Sequence, residues 1–316
     1  MPKIAHITDG TRRLRNGQQP GGPIKAATAS VSIAGAVSAE LRPLVVSGAP
    51  SLSVSTLWKA FSRLVHYRDL LYTLSLHRLH IRYKQSVLGP SWAVLQPLSL
   101  MLIYTAVFSR IVRVPTGGTP YALFAYSALL PWTCFATSLS TATNSLVGHV
   151  NLVTKVYFPR EILPLTYVAA ALIDFLVAST VLAGMLLFYR VPLTAQALYV
   201  VPTVAILTMF AIAVSLVLCA AQVRFRDVGV AMPLLLQLWM FATPVLYPLN
   251  LVPAKWQPLY LLNPMVGIIE SFRRVILLGA PPDVRSLGIA TAVTAILLPI
   301  AFLYFKRTEA TMADII

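Results

Sequence analysis

Between Arg113 and Lys155 the chain carries no Asp, Glu, Lys or Arg, and between Glu161 and Arg190 it carries only Asp174. Residues 191–223, 228–254 and 286–305 are likewise uncharged. Runs like these match or exceed the roughly 20 apolar residues that cross a hydrocarbon core of about 30 Å. Lipid offers no hydrogen bonds, so each run must satisfy its own backbone, and an unbroken apolar run does so as a helix. The pattern therefore predicts an all-α integral membrane protein. Six transmembrane helices fit, at about 91–112, 121–143, 161–189, 198–221, 228–248 and 286–305, in line with a hydrocarbon core of that thickness. Only 11% of the residues are charged, against about a quarter in soluble domains.

The formal net charge is +15. The basic residues flank the spans and build no basic face with interleaved aromatics, so no nucleic acid is expected and anionic membrane lipids are. Six spans put both termini on one side. Eighteen of the 25 Lys and Arg residues precede span one or follow spans two, four and six, which places both termini in the cytoplasm by the positive-inside rule. Arg110 and Arg113 run against it and are expected to snorkel from the outer end of span one.

Residues 1–56 are rich in Pro, Gly, Ala and Ser and carry Arg12, Arg13 and Arg15, a composition that predicts a disordered basic cytoplasmic tail. Within it, "AATASVSIAGAVSA" follows basic residues and ends in Val-Ser-Ala as a signal peptide does. It is only weakly apolar, and cleavage there would leave a very basic segment outside. Residues 57–86 place Leu57, Phe61, Leu64 and Val65 on one helical face, then Asp69 as a cap, then Leu70, Leu71, Leu74 and Ile81. Too charged to span, this stretch predicts an amphipathic interface helix whose Lys and Arg reach the headgroups. A small soluble domain would use such a helix too, but no other soluble domain surrounds it.

Residues 249–284 are too apolar for a solvated loop, yet Pro253, Pro258 and Pro264 cut them into pieces too short to cross. Asn263-Pro264 is a helix start and Gly279 a stop. "PMVGIIESFRRVILLG" thus predicts a half-depth, re-entrant helix. Glu270 stands three and four residues from Arg273 and Arg274, close enough to pair. A seventh span broken by prolines would put Lys306 and Arg307 outside, against their charge.

No enzyme constellation is present: no GxSxG, no paired carboxylates on one helix, and no His with a metal-ligand partner. Cys134 and Cys219 lie in apolar runs and read as small buried hydrophobes. No Lys follows a Gly, so there is no GxxxxGK[ST] phosphate loop. Asp174, alone deep in a span, either relays protons or pairs inside the bundle.

Four blocks, "RYKQSVLGPSWAVLQPLSLMLIYTAVFSRIV", "YSALLPWTCFATSLSTATNSLVGHVNLVTKVYFPREILPL", "VRFRDVG" and "LLNPMVGIIESFRRVILLG", resemble the membrane subunits of type-2 ABC exporters of O-antigen, capsular polysaccharide and teichoic acid. The likeness covers residues 57–308, with the transmembrane domain at 87–308 and a short cytoplasmic tail at 309–316. It implies a homodimer in the bacterial inner membrane, two separate nucleotide-binding ATPase subunits that hold the ATP and Mg, and a lipid-linked polysaccharide as substrate. No cofactor is implied for this chain. The charged insert would be a coupling helix at about 144–160: Leu146, Val150, Val153 and Tyr157 would form a stripe seated in an ATPase groove. Lys155, Arg160 and Glu161 would be its polar rim, and Pro159 would end the helix. Gate helices would occupy about 253–279, with Glu270, Arg273 and Arg274. Arg82 and Lys84 would meet the lipid pyrophosphate, and the aromatics of spans one and five, Trp92, Tyr104, Phe108, Trp239, Phe241 and Tyr247, would line the channel. Two other classes compare poorly. A membrane enzyme of polyprenyl-linked sugar metabolism needs acids or His clustered at one face, and an ion-coupled carrier wants internal repeats.

Overall fold

The computed structural model describes residues 66–84, 86–155 and 158–315. The tail at 1–56, the first part of the predicted interface helix, and Tyr157 lie outside them. Among the described residues there is no strand. The α-helices are α1 (Arg68–Lys84), α2 (Trp92–Tyr104), α3 (Tyr121–Thr143), α4 (Val150–Lys155), α5 (Ile162–Phe188), α6 (Val200–Arg224), α7 (Asp227–Phe241), α8 (Gln257–Leu261), α9 (Pro264–Leu277) and α10 (Val284–Ile315). A 3-10 turn, Gly89–Ser91, leads into α2, which runs on as a π-helix through Thr105–Ile111.

Among the described residues, five helices are long and apolar enough to cross a membrane: Gly89–Ile111, α3, α5, Ala195–Arg224 and Val284–Glu309. The fifth predicted span is different. Its helix, α7, has 15 residues, about 22 Å at 1.5 Å per residue, and unwinds after Phe241. The cause is local: Pro244 lacks an N–H and disfavours helical backbone at Thr243 before it, and Pro248 follows.

The core is built around α3. Leu123, Ala125, Tyr126, Ser127, Ala128, Leu129, Leu130 and Phe135 are fully buried, as expected of a helix apolar on every side. α2, α5, α6, α7 and α9 pack on it. A second apolar cluster joins Leu146, Val153, Phe158, Ile162, Leu216, Cys219, Val223, Phe305 and Met312, with Leu70, Leu71 and Leu74 of α1 against it. α9 crosses α10 where a Cβ on Gly267 would collide with the Ser286 carbonyl. Gly279 ends the α9 region at φ +57°, a left-handed conformation that glycine adopts without strain. Two helices are sparsely covered. The Gly89–Ile111 helix is the least buried of the five, and α7 buries only Met232, Leu236 and Met240 while Val230, Leu234, Leu235, Leu238 and Phe241 stay exposed.

Candidate functional site

The charged insert folds as a 3-10 turn, Val147–His149, and the six-residue α4. Of its predicted apolar stripe, two residues turn inward, and Tyr157 lies outside the described residues. Leu146, just before the turn, and Val153, on the short helix, are buried in the second cluster with residues of α5, α6 and α10. Val150 is half-buried, while Asn151, Thr154 and Lys155 are exposed. Of the predicted rim, Glu161 is 1% exposed and its Oε2 accepts from Lys306 Nζ at 2.7 Å. Arg160 Nη1 donates to the Glu309 carbonyl at 2.9 Å. Only Lys155 of that rim points outward.

The same turn is tied to its neighbours. Arg78 Nη2 donates to His149 Nε2. A guanidinium only donates, so Nδ1 carries the ring proton and donates to the Ser145 carbonyl at 2.9 Å. Burial lowers the His149 pKa; the Ser145 bond raises it and the nearby Arg78 charge lowers it. Arg78 also lies 4.5 Å over the Tyr167 ring. Across the turn, Gln222 Nε2 donates to Asn144 Oδ1 at 3.0 Å and Gly229 N donates to Gln222 Oε1 at 2.6 Å. The ends of α3, α6 and α7 thus share one polar knot.

Asp174 is paired inside the bundle, the second of the two readings its position allows. Arg82 Nη1 reaches Asp174 Oδ2 at 2.7 Å and the Tyr83 hydroxyl donates to Oδ1 at 2.8 Å. Burial and the Asp174 bond push the Tyr83 hydroxyl up to about 12. Asp174 sits about halfway along α5, so the last turn of α1 leans along that span. Arg82 is therefore already engaged by a carboxylate, whereas Lys84 is exposed. A cavity of about 20 Å³ beside the pair, lined by Arg82, Gln96, Thr133, Thr137, Asp174 and Phe175, has room for one water.

The unwound segment after α7 is held by side chains of α3 and α9. Tyr121 donates to the Leu246 carbonyl at 2.8 Å, and Tyr247 to the Phe241 carbonyl at 2.9 Å. Arg273 Nη2 donates to the Val245 carbonyl at 3.0 Å, and both its terminal nitrogens lie 3.4 Å from the Pro244 carbonyl. Asn263 caps α9, its Oδ1 accepting from Met265 N at 3.1 Å and from Trp239 Nε1 at 3.2 Å, while Nδ2 donates to Thr243 Oγ1 at 2.9 Å. Non-helical backbone in an apolar setting persists only with such partners. The expected Glu270–Arg273–Arg274 set is divided. Arg273 is 5% exposed and 3.7 Å over the Phe124 ring, with Glu270 only 3.5 Å away, and Arg274 points outward. α9 faces its own chain: Met265, Val266, Ile268 and Ile269 are fully buried.

Of the channel-lining candidates, Trp92 and Phe241 are exposed. Trp239 packs edge-on against Phe135 and Phe210, and Phe108 stacks on Tyr121 with Tyr104 at its edge. Tyr247 is half-buried on its bond to Phe241. Four of the six are thus engaged within the chain. Sequence reasoning missed Lys306, Glu309, Gln222, Asn144, Tyr121 and Asn263 as site-forming groups. The available signal was each polar residue at the edge of an apolar run, a group that has to find a partner.

Residues 70–277 match the ABC-2 type transporter family. The chain is 32% identical over 253 residues to the O-antigen export system permease protein RfbA of Myxococcus xanthus, covering 79% of this chain and 96% of that protein. It is 30% identical over 212 residues to RfbA of Klebsiella pneumoniae, covering 67% and 81%. It is 23% identical over 247 residues to the polysialic acid transport protein KpsM of Escherichia coli, covering 76% and 93%. This chain, with its apolar helices and its match over well more than half of its length, belongs to the ABC-2 type transporter membrane family.

Proposed function

We propose that the chain is the permease subunit of an ATP-driven exporter that carries a lipid-linked surface polysaccharide outward across a bacterial inner membrane. The observation that carries this reading is the 96% coverage of a permease named for O-antigen export. The permease works as a homodimer with two ATPase subunits, which hold the ATP and Mg. Six spans, α7 being the short fifth, keep both termini in the cytoplasm. α2 and α7, whose apolar faces are the least covered, supply the subunit contact and the channel wall, with Trp92 and Phe241 as its exposed rings. The turn and α4 receive the push of the ATPase through Asn151, Thr154 and Lys155. α8 and α9 form the re-entrant gate over the unwound segment, and exposed Lys84 meets the lipid phosphate.

Deletion of the gene tests this. Surface polysaccharide should disappear while lipid-linked polymer accumulates inside the cell, and the chain together with its ATPase should restore export. Unchanged surface polymer without internal accumulation would refute the reading.

A further inference from the structure

The exposed part of the coupling segment is small, and its buried part is attached to the end of α10. Glu161, at the start of α5, is almost fully enclosed and bonds Lys306 at 2.7 Å. Lys306 also bonds Glu309 at 2.7 Å, one turn on. Arg160 donates to the backbone carbonyl of Glu309 at 2.9 Å. Around these charges, Leu146, Val153 and Phe158 of the segment pack in one cluster with Phe305 and Met312 of α10. The segment and the end of α10 are thereby held together by one ion pair, whose Lys306 is shared with Glu309 of α10 itself, a backbone bond and an apolar contact. At its other end α10 meets α9 without slack, the Gly267 backbone lying against the Ser286 carbonyl and Ala290. α9 in turn holds the unwound segment through Asn263 and Arg273.

We infer that Glu161 and Lys306 are positioning residues that lock the coupling segment to α10, so that movement of the segment by the ATPase is passed along α10 to α9 across the Gly267–Ser286 contact. The inference rests on the proposed export function. Its physical content is that one rigid element touches both the driven segment and the gate. An interaction chain of this kind has to be shown by coupling, since adjacency alone is only an association. The buried charge makes the link selective: a neutral side chain at 306 leaves Glu161 enclosed without its cation, and the segment then loses its hold on the helix.

The test uses the full permease with its ATPase in liposomes, reading polymer exported per ATP hydrolysed. Lys306→Met should assemble and hydrolyse ATP at the parental rate while export per ATP falls about tenfold, inside the usual span of coupling energies. Misfolding is controlled with a second variant, Glu161→Cys with Lys306→Cys. Joining the two thiols with a short bis-thiosulfonate reagent should raise export per ATP toward the parental value, and reductant should abolish the gain in the same sample. A purely structural role would leave the bridged and reduced samples alike. An unchanged ratio in Lys306→Met, or no effect of the bridge, overturns the inference while the parent still exports. A parent that hydrolyses ATP and exports nothing takes down the proposed function, and this inference with it.

Discussion

Replacing Arg273 with Met tests what holds the break after α7. The guanidinium donates to the carbonyls of Pro244 and Val245, covers the Phe124 ring at 3.7 Å and lies 3.5 Å from Glu270. Met fills similar space but donates nothing. Two buried carbonyls without a donor cost about 1–3 kcal/mol each, and the lost ring contact adds about 2 kcal/mol. Against this stands relief from keeping a charge out of water, several kcal/mol, which these contacts offset in the parent. The net loss should be about 2–4 kcal/mol, a fall in midpoint of roughly 3–6 °C for a protein of this size. Thermal unfolding of the purified permease in detergent measures it, with dye leakage from liposomes as a second readout. Glu270→Gln should cost about 1 kcal/mol or less, since its contact is long and partly exposed. Adding Arg273→Ala to Glu270→Ala should worsen the leak. Rescue would mean that the two charges act mainly on each other and that the carbonyl bonds contribute little. An Arg273→Met permease as stable and as tight as the parent would refute the clamp itself.

Three further outcomes are expected. Gly267→Ala should destabilise by about 1–3 kcal/mol, because the added Cβ meets the Ser286 backbone, which cannot swing aside as a side chain can; thermal unfolding measures it. Asp174→Asn should loosen α1 from α5, and Arg82→Met should loosen it more by leaving the carboxylate without its cation; faster proteolysis within α1 reports both, and equal resistance to the parent contradicts the pairing. The Arg78–His149 contact should weaken on acidification. The bound ring has a lowered pKa, so as the pH falls through the ordinary 6.5 the undocked ring takes the proton first. The docked arrangement is fully favoured above 6.5 and loses ground below it; His149→Gln should flatten the pH dependence of α1 protection, measured by hydrogen exchange.

Much of the fold was readable because membrane helices advertise themselves by length. The predicted 121–143 is α3 to the residue, and 161–189 lies within one residue of α5 at each end. The Asn263-Pro264 start and Gly279 stop bracket α9 because caps and left-handed glycines are local chemistry. The fifth span was read too long. A hydropathy run counts Thr243, Pro244 and Val245 as apolar passage, while the backbone at Pro244 breaks the helix there. The contacts of α1 with a span were not readable, since its polar residues are bound for Asp174 and His149, far away in sequence.

The site residues were legible as unusual and illegible as to direction. A charged residue between apolar runs must be either solvated or paired, and the sequence alone does not say which. The burial around it decides. Lys155 and Arg274 face outward, whereas Glu161 and Arg273, of similar sequence character, are enclosed. Each enclosed member is matched by a group more than 25 residues away: Lys306 for Glu161, the Pro244 and Val245 carbonyls for Arg273. The i,i+3 spacing of Glu270 and Arg273 invited a local pairing, but a carbonyl at 3.0 Å in a dry site outweighs a partly hydrated carboxylate at 3.5 Å. Local spacing therefore names the residues that need partners, and packing alone selects which partner each receives. For this chain that selection couples the break after α7 to α9, and the charged insert to α10.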